Sequence, residues 1–314
     1  MLIVVASVIS VIWIKFDSGL VKLDSADTLP ELRGKLIRSV AHIGAEKTYK
    51  LLVTTYATST RAHSAAHVMG EILSQSFGAA GVHVCDGAFS YGCHHGLVQG
   101  LFKNGGFEQV KQLAYTCTQI SENLRATCAH GFGHGALASG DKGDLQRGIL
   151  ICEDIFSPNL ASACANGVFM HYNRPFDSRE EGDSQGSLRP LDMTRPFSPC
   201  DNKEIPDTFL GACYSSLPSF WWDQVGGVDE VIRLCKRAPT RFLKNCYQGM
   251  GVQIPGVVGY DAAKAVRICE KISMSAGSKS CLEQVARTLE EFGHDACAVY
   301  AALRSEKNNC KSPF

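Results

Sequence analysis

Fourteen cysteines fall into seven pairs along this chain, and the pairs recur. Cys85/Cys93, Cys117/Cys128, Cys152/Cys164, Cys200/Cys213, Cys235/Cys246, Cys269/Cys281 and Cys297/Cys310 are each separated by 8 to 13 residues, and successive second members stand 29 to 49 residues apart, mostly near 35. A period of that length is one helix–turn–helix repeat. Phe107–Ile120 and Asp144–Ile155 read as helices that carry the first cysteine of a pair. A short polar link follows, such as Ser121-Glu-Asn, and then a helix with the second cysteine near its start, as in Cys128–Ala138. The expected fold is all-α, a superhelix (α-solenoid) of about seven such repeats, each clipped by a disulfide. By chain-entropy reasoning, a bridge closing a loop of this size contributes about 2–3 kcal/mol.

Regular even pairing also speaks to compartment. Disulfides persist in oxidising surroundings, so the chain reads as extracytoplasmic: secreted, periplasmic or lumenal. Structural zinc needs short C-x2–4-C hooks, and no two cysteines here are that close. Thioredoxin-like C-x-x-C and C-x-x-C-H haem attachment are absent for the same reason. Leu2–Ile14 is an unbroken apolar or small run ending at Lys15. Residues 1–20 therefore read as a signal-like segment or a membrane anchor, with a buried helix as the alternative. Lysine plus arginine equals aspartate plus glutamate, 31 each, which gives no electrostatic ground for nucleic acid.

Residues 21–84 form N-terminal helices, expected at 30–43, 45–57 and 60–76. Thr28 and Glu31 have capping-box spacing at the first of these. Residues 85–314 are the cysteine-paired repeats. They carry an inserted loop at 173–199, rich in Pro, Gly, Ser and charge, and a shorter loop at 253–259 around Pro255. Trp221-Trp222, after Pro218, either stacks a sugar or peptide or packs the base of a loop.

Tyr247-Gln-Gly-Met-Gly-Val252 followed by Asp261-Ala-Ala-Lys-Ala265 resembles the glycine-x-glycine-valine pattern of Sel1-like repeats, relatives of the tetratricopeptide superhelices. The likeness is good in this one unit and looser over the rest of 85–314. It implies an interaction module with a protein or peptide in a concave groove, and a secreted form clipped once per repeat. The histidines lie outside that pattern.

Aligning the units on the second cysteine brings those histidines into register. Two residues after it stand His95, His130, Asn166, Ser215, Gln248 and Glu283; six after it stand Gln99, His134, Met170, Ser219, Val252 and Arg287. Residues four apart share a helix face, so one face presents His95/Gln99, then His130/His134. His63 and His67 extend the series, with His63 32 residues before His95 and Glu71 on the same stripe. His63, His67, His95, His130 and His134 are thus candidate ligands for a transition metal (Zn, Cu or Fe), and Gln99, Asn166 and Gln248 are polar groove residues. Glu71 is the candidate base. The H-E-x-x-H hydrolase motif is absent, since Ser64 and Gly131 follow the first histidine of each hook. A recurring buried histidine that merely hydrogen-bonds a neighbouring turn would give the same pattern. His94 lies on another helix face, and His42, His83, His171 and His294 have no register partner. Three functions stay open: a binding or assembly module with a metal site, a metal-dependent hydrolase or oxidoreductase, and a metal carrier.

Overall fold

The computed structural model describes residues 22–57, 59, 61–104, 106–120, 122–138, 144–173 and 189–303. The apolar run at 2–14, most of the insertion and Cys310 lie outside them. Among the described residues there are fourteen α-helices, two short 3-10 segments and no strand. None of these helices is long and apolar enough to cross a membrane.

The chain enters through α1 (Leu29–Ile43), and Thr28 and Glu31 close the expected capping box. α2 (Ala45–Tyr56) and α3 (Ala62–Phe77) follow. A 3-10 segment leads to α4 (Ala88–Asn104), α5 (Gly106–Gln119), α6 (Glu122–Ala138), α7 (Leu145–Ile155) and α8 (Pro158–Asn173). The C-terminal half holds α9 (Asp207–Trp222), α10 (Val228–Arg237), α11 (Leu243–Val257), α12 (Ala262–Glu270), α13 (Ser275–Glu291) and α14 (Cys297–Ala302). Asp144 and Asp261 cap α7 and α12 by accepting from the backbone N–H three residues on.

Seven helices pack in chain order, each on the next: α3, α4, α6, α8, α9, α11 and α13. The intervening helices lie against them, α5 on α4 and α6, α7 on α6 and α8, α10 on α9 and α11, and α12 on α11 and α13. One continuous core runs from Leu23 to Val299. Six disulfides join the cysteines as paired in the sequence: Cys85–Cys93, Cys117–Cys128, Cys152–Cys164, Cys200–Cys213, Cys235–Cys246 and Cys269–Cys281. Cys297 is also disulfide-bonded. These bridges point to an oxidising, extracytoplasmic environment.

Several local expectations need correction. The second cysteine usually sits more than a turn inside its helix, not at its start: α6 begins at Glu122, six residues before Cys128. Cys246 departs from this placement. Its helix, α11, begins at Leu243, only three residues before it, because the 3-10 turn Thr240–Phe242 replaces the first helical turn. Pro239 precedes that turn and holds the chain extended after α10, which carries Cys235, the partner of Cys246. Two pairs lack a helix at the first cysteine. Cys85 follows the 3-10 segment Gly78–His83, and Cys200 lies in a run of turns. Pro190, Pro196, Pro199 and Pro206 deny that stretch helical hydrogen bonding. The expected loop at 253–259 is largely the last turn of α11, with Pro255 inside the helix two residues before its end. Trp221 is fully buried and its Nε1 donates to the Pro196 carbonyl at 2.9 Å, so it packs the base of the insertion.

Candidate metal centre

Close helix contact makes the site. A Cβ on Gly96 of α4 would fall 1.9 Å from the His67 carbonyl oxygen of α3. One on Gly167 of α8 would fall 1.9 Å from the His130 carbonyl of α6, and one on Gly249 of α11 would fall 2.0 Å from the Ser215 carbonyl of α9. At Gly167 and Gly249 the residue three after the second cysteine thus rests on the residue two after it in the preceding helix. Glycine is required at these three contacts because no side chain fits, whereas a Cβ on Gly131 would first meet the His95 side chain, at 3.2 Å, and Ser216 and Gln284 fill the same level in α9 and α13. This contact also resets the register. His67, rather than His63, occupies in α3 the level of His95 and His130.

With the backbones that close, five imidazoles meet. His63 and His67 come from α3, His95 from α4, and His130 and His134 from α6. Two groups form, His63/His67/His95 and His95/His130/His134, each with its ligand nitrogens within 4.8 Å of one another. His63 Nε2 and His67 Nε2 are 3.1 Å apart, and so are His130 Nε2 and His134 Nε2. Two nitrogens bound tetrahedrally to one ion at about 2.1 Å sit about 3.4 Å apart, so each hook has the span of a chelate.

The surrounding groups aim the rings. His63 Nδ1 lies 2.7 Å from the Phe89 carbonyl oxygen, which can only accept; the proton is therefore on Nδ1 and the lone pair on Nε2. That carbonyl is delivered by a first turn of α4 in which Phe89 and Tyr91 have φ of 55° and 59°. Such left-handed backbone costs of order 1–3 kcal/mol per non-glycine residue and often marks functional sites. His130 lies beside the Ala163 backbone and Asn166; Asn166 Nδ2 donates to the Ala212 carbonyl and to Ser215 Oγ. Gln99 lies beside His67.

Electrostatics keep the rings ready as ligands. Burial, and then the neighbouring imidazoles, hold His67, His95 and His134 well below the usual histidine range. Burial pushes His130 down to about 4 and lowers His63. All five are therefore neutral near pH 7, the form that binds metal. The residues fit an ion on a further ground. His95 Nε2 is buried without a hydrogen-bond partner, which is costly unless another group satisfies it.

The cluster opens into a cavity of about 820 Å³ lined by residues from α3 to α13. Beyond the histidines its wall combines apolar surface, from residues such as Met170, Val252 and Phe292, with uncharged polar side chains including Asn159, Ser162, Asn166, Ser215, Asn245 and Gln248. Arg287 and Glu291 of α13 also line it, with Glu291 near enough to Tyr91 of α4 to add to the rise in the tyrosine's pKa that burial causes. Gln99 is buried beside His67 and does not line the cavity. Glu71, the candidate base, belongs to neither group, and its carboxylate pairs with Arg33 of α1. His94 is buried but is likewise in neither group.

Of the four histidines without a register partner, His171 lies beside the cluster. It is buried on α8 with its ring centroid 5.8 Å from that of His134. It falls seven residues after Cys164, a level with no histidine in other units, so only three-dimensional packing brings it to the cluster. His294 instead stacks on Tyr260 at 4.2 Å.

No protein-family model matches this chain, and no curated protein or solved structure is similar to it.

Proposed function

We propose that this chain is an exported, Sel1-like binding module whose inner helices wind as a superhelix around a concave groove, and that the groove holds a protein or peptide segment beside a histidine-bound transition metal. The observation that carries this is the convergence of five neutral imidazoles, three buried and two half-buried, from three helices on the wall of one cavity. An all-nitrogen donor set suits zinc, copper or iron(II), and the absence of carboxylates from both groups disfavours calcium and magnesium. The amide and hydroxyl wall supplies paired donors and acceptors without net charge, which matches peptide main chain.

Elemental analysis of untagged protein tests the metal. Stoichiometric metal is expected, and His63→Ala combined with His130→Ala should remove it while the helical circular dichroism persists. Less than one-tenth of an ion per chain after equilibration with zinc, copper(II) and iron(II) would end the proposal. Loss of folding in the double variant would instead assign the histidines a structural role.

One observation favours a second reading, a metal-dependent enzyme. Each group supplies three nitrogens and faces the cavity, so an ion there keeps open positions. The pairing of Glu71 with Arg33 leaves water activation to the metal itself. Turnover that disappears in the histidine variants would favour this reading, and peptide binding that survives them would favour the module.

A further inference from the structure

The arrangement of the two hooks decides how many ions the cluster takes. Ligands on a single ion at about 2.1 Å lie at most about 4.2 Å apart. Each hook meets that limit internally, at 3.1 Å. The two hooks do not merge into a single group even at 4.8 Å; His95 alone belongs to both. One ion therefore cannot take all four hook nitrogens as they stand.

His95 lies between the hooks. Its ring centroid is 5.5 Å and 5.4 Å from those of His63 and His67, and 5.1 Å and 4.9 Å from those of His130 and His134. His63 engages the Phe89 carbonyl, which orients its ring. For His95 no such anchor appears among the described residues, and its Nε2 is buried without a partner. A histidine that spends no nitrogen on orientation has both to offer, on opposite sides of its ring.

We propose that the centre is dinuclear: one borderline transition-metal ion at His63 and His67, a second at His130 and His134, and His95 bridging them through its two ring nitrogens. This rests on the metal-binding reading above and adds the nuclearity. Binding is balanced without redox change. Each aqua ion loses water to the imidazoles, and the ring N–H proton of His95 leaves to solvent when the second ion binds. Each ion then has three nitrogen ligands and remaining positions that face the cavity.

The test is copper(II) titration of the untagged full chain, with copper per chain and electron paramagnetic resonance measured together. Two ions per chain are expected, with spin intensity far below that of two isolated ions because the bridge couples them. His95→Ala should restore full intensity, and His134→Ala should leave a single uncoupled ion. If His95→Ala fails to fold, the wild-type spin intensity still decides. One copper per chain, or two with full uncoupled intensity, overturns the bridge while leaving metal binding in place. No copper at all overturns both.

Discussion

Single residues set the distance at which the histidines meet. Gly96 and Gly167 let a helix backbone rest on the carbonyl of the residue that bears the preceding imidazole, with no room for a methyl. Gly96→Ala should therefore lower stability by about 1–3 kcal/mol, the usual range for overpacking, and weaken metal binding with it. An unchanged urea midpoint would contradict the packing account. The same burial predicts a pH dependence. Folded-state values for His63, His67, His95, His130 and His134 lie below the ordinary 6.5, so above that pH both states are neutral and the stability is fully present. As pH falls from 6.5 toward about 4, the unfolded chain takes up protons that the folded one resists, and stability is lost. Metal-stripped protein should thus show a falling urea midpoint between pH 7.5 and 5; a flat profile would place these rings in water. The five candidate ligands were legible in the sequence: His95, His130 and His134 because the cysteines supply a ruler, His63 and His67 through their spacing of four, although the ruler set His63 rather than His67 level with His95. His171 was not, since its level has no counterpart. The Arg33–Glu71 pair was not, because it joins helices separated by the whole of α2.

Helices and bridges act on the site together. Cys93 and Cys128 stand two residues before His95 and His130, so two disulfides clamp the turns that carry ligands. Cys117→Ser with Cys128→Ser should cost about 2–3 kcal/mol by loop-closure reasoning and also weaken metal binding. Cys269→Ser with Cys281→Ser should cost a similar amount and leave metal affinity unchanged, since α12 and α13 carry no ligand. Equal loss of affinity in both pairs would mean that the bridges stabilise only the fold as a whole. Most helices could be read from apolar spacing and caps, as Thr28, Asp144 and Asp261 show. The stretch before Cys213 could not be read as a repeat, because its prolines replace the expected first helix with turns. Pro255 misled in the opposite direction: α11 runs through it to Val257, although the proline has no N–H to bond the carbonyl four residues back.

Across the whole molecule, the serially packed helices pass one row of side chains from imidazole at α3, α4 and α6 to amide and hydroxyl at α8, α9 and α11. The lining of the 820 Å³ cavity follows that change. Metal should thus stabilise the N-terminal half directly. At a hundredfold excess over its dissociation constant, a ligand adds about 2.7 kcal/mol to the folded state. Chelation should accordingly lower the thermal midpoint by several degrees, and zinc or copper should restore it; a midpoint indifferent to metal would contradict this. The most direct measurement is an anomalous-difference map at the metal edge from crystals of the metal-loaded protein. The account predicts peaks within bonding distance of the His63/His67 and His130/His134 nitrogens, with His95 between them. A map with no peak among these five rings, or with metal only elsewhere on the surface, would contradict it.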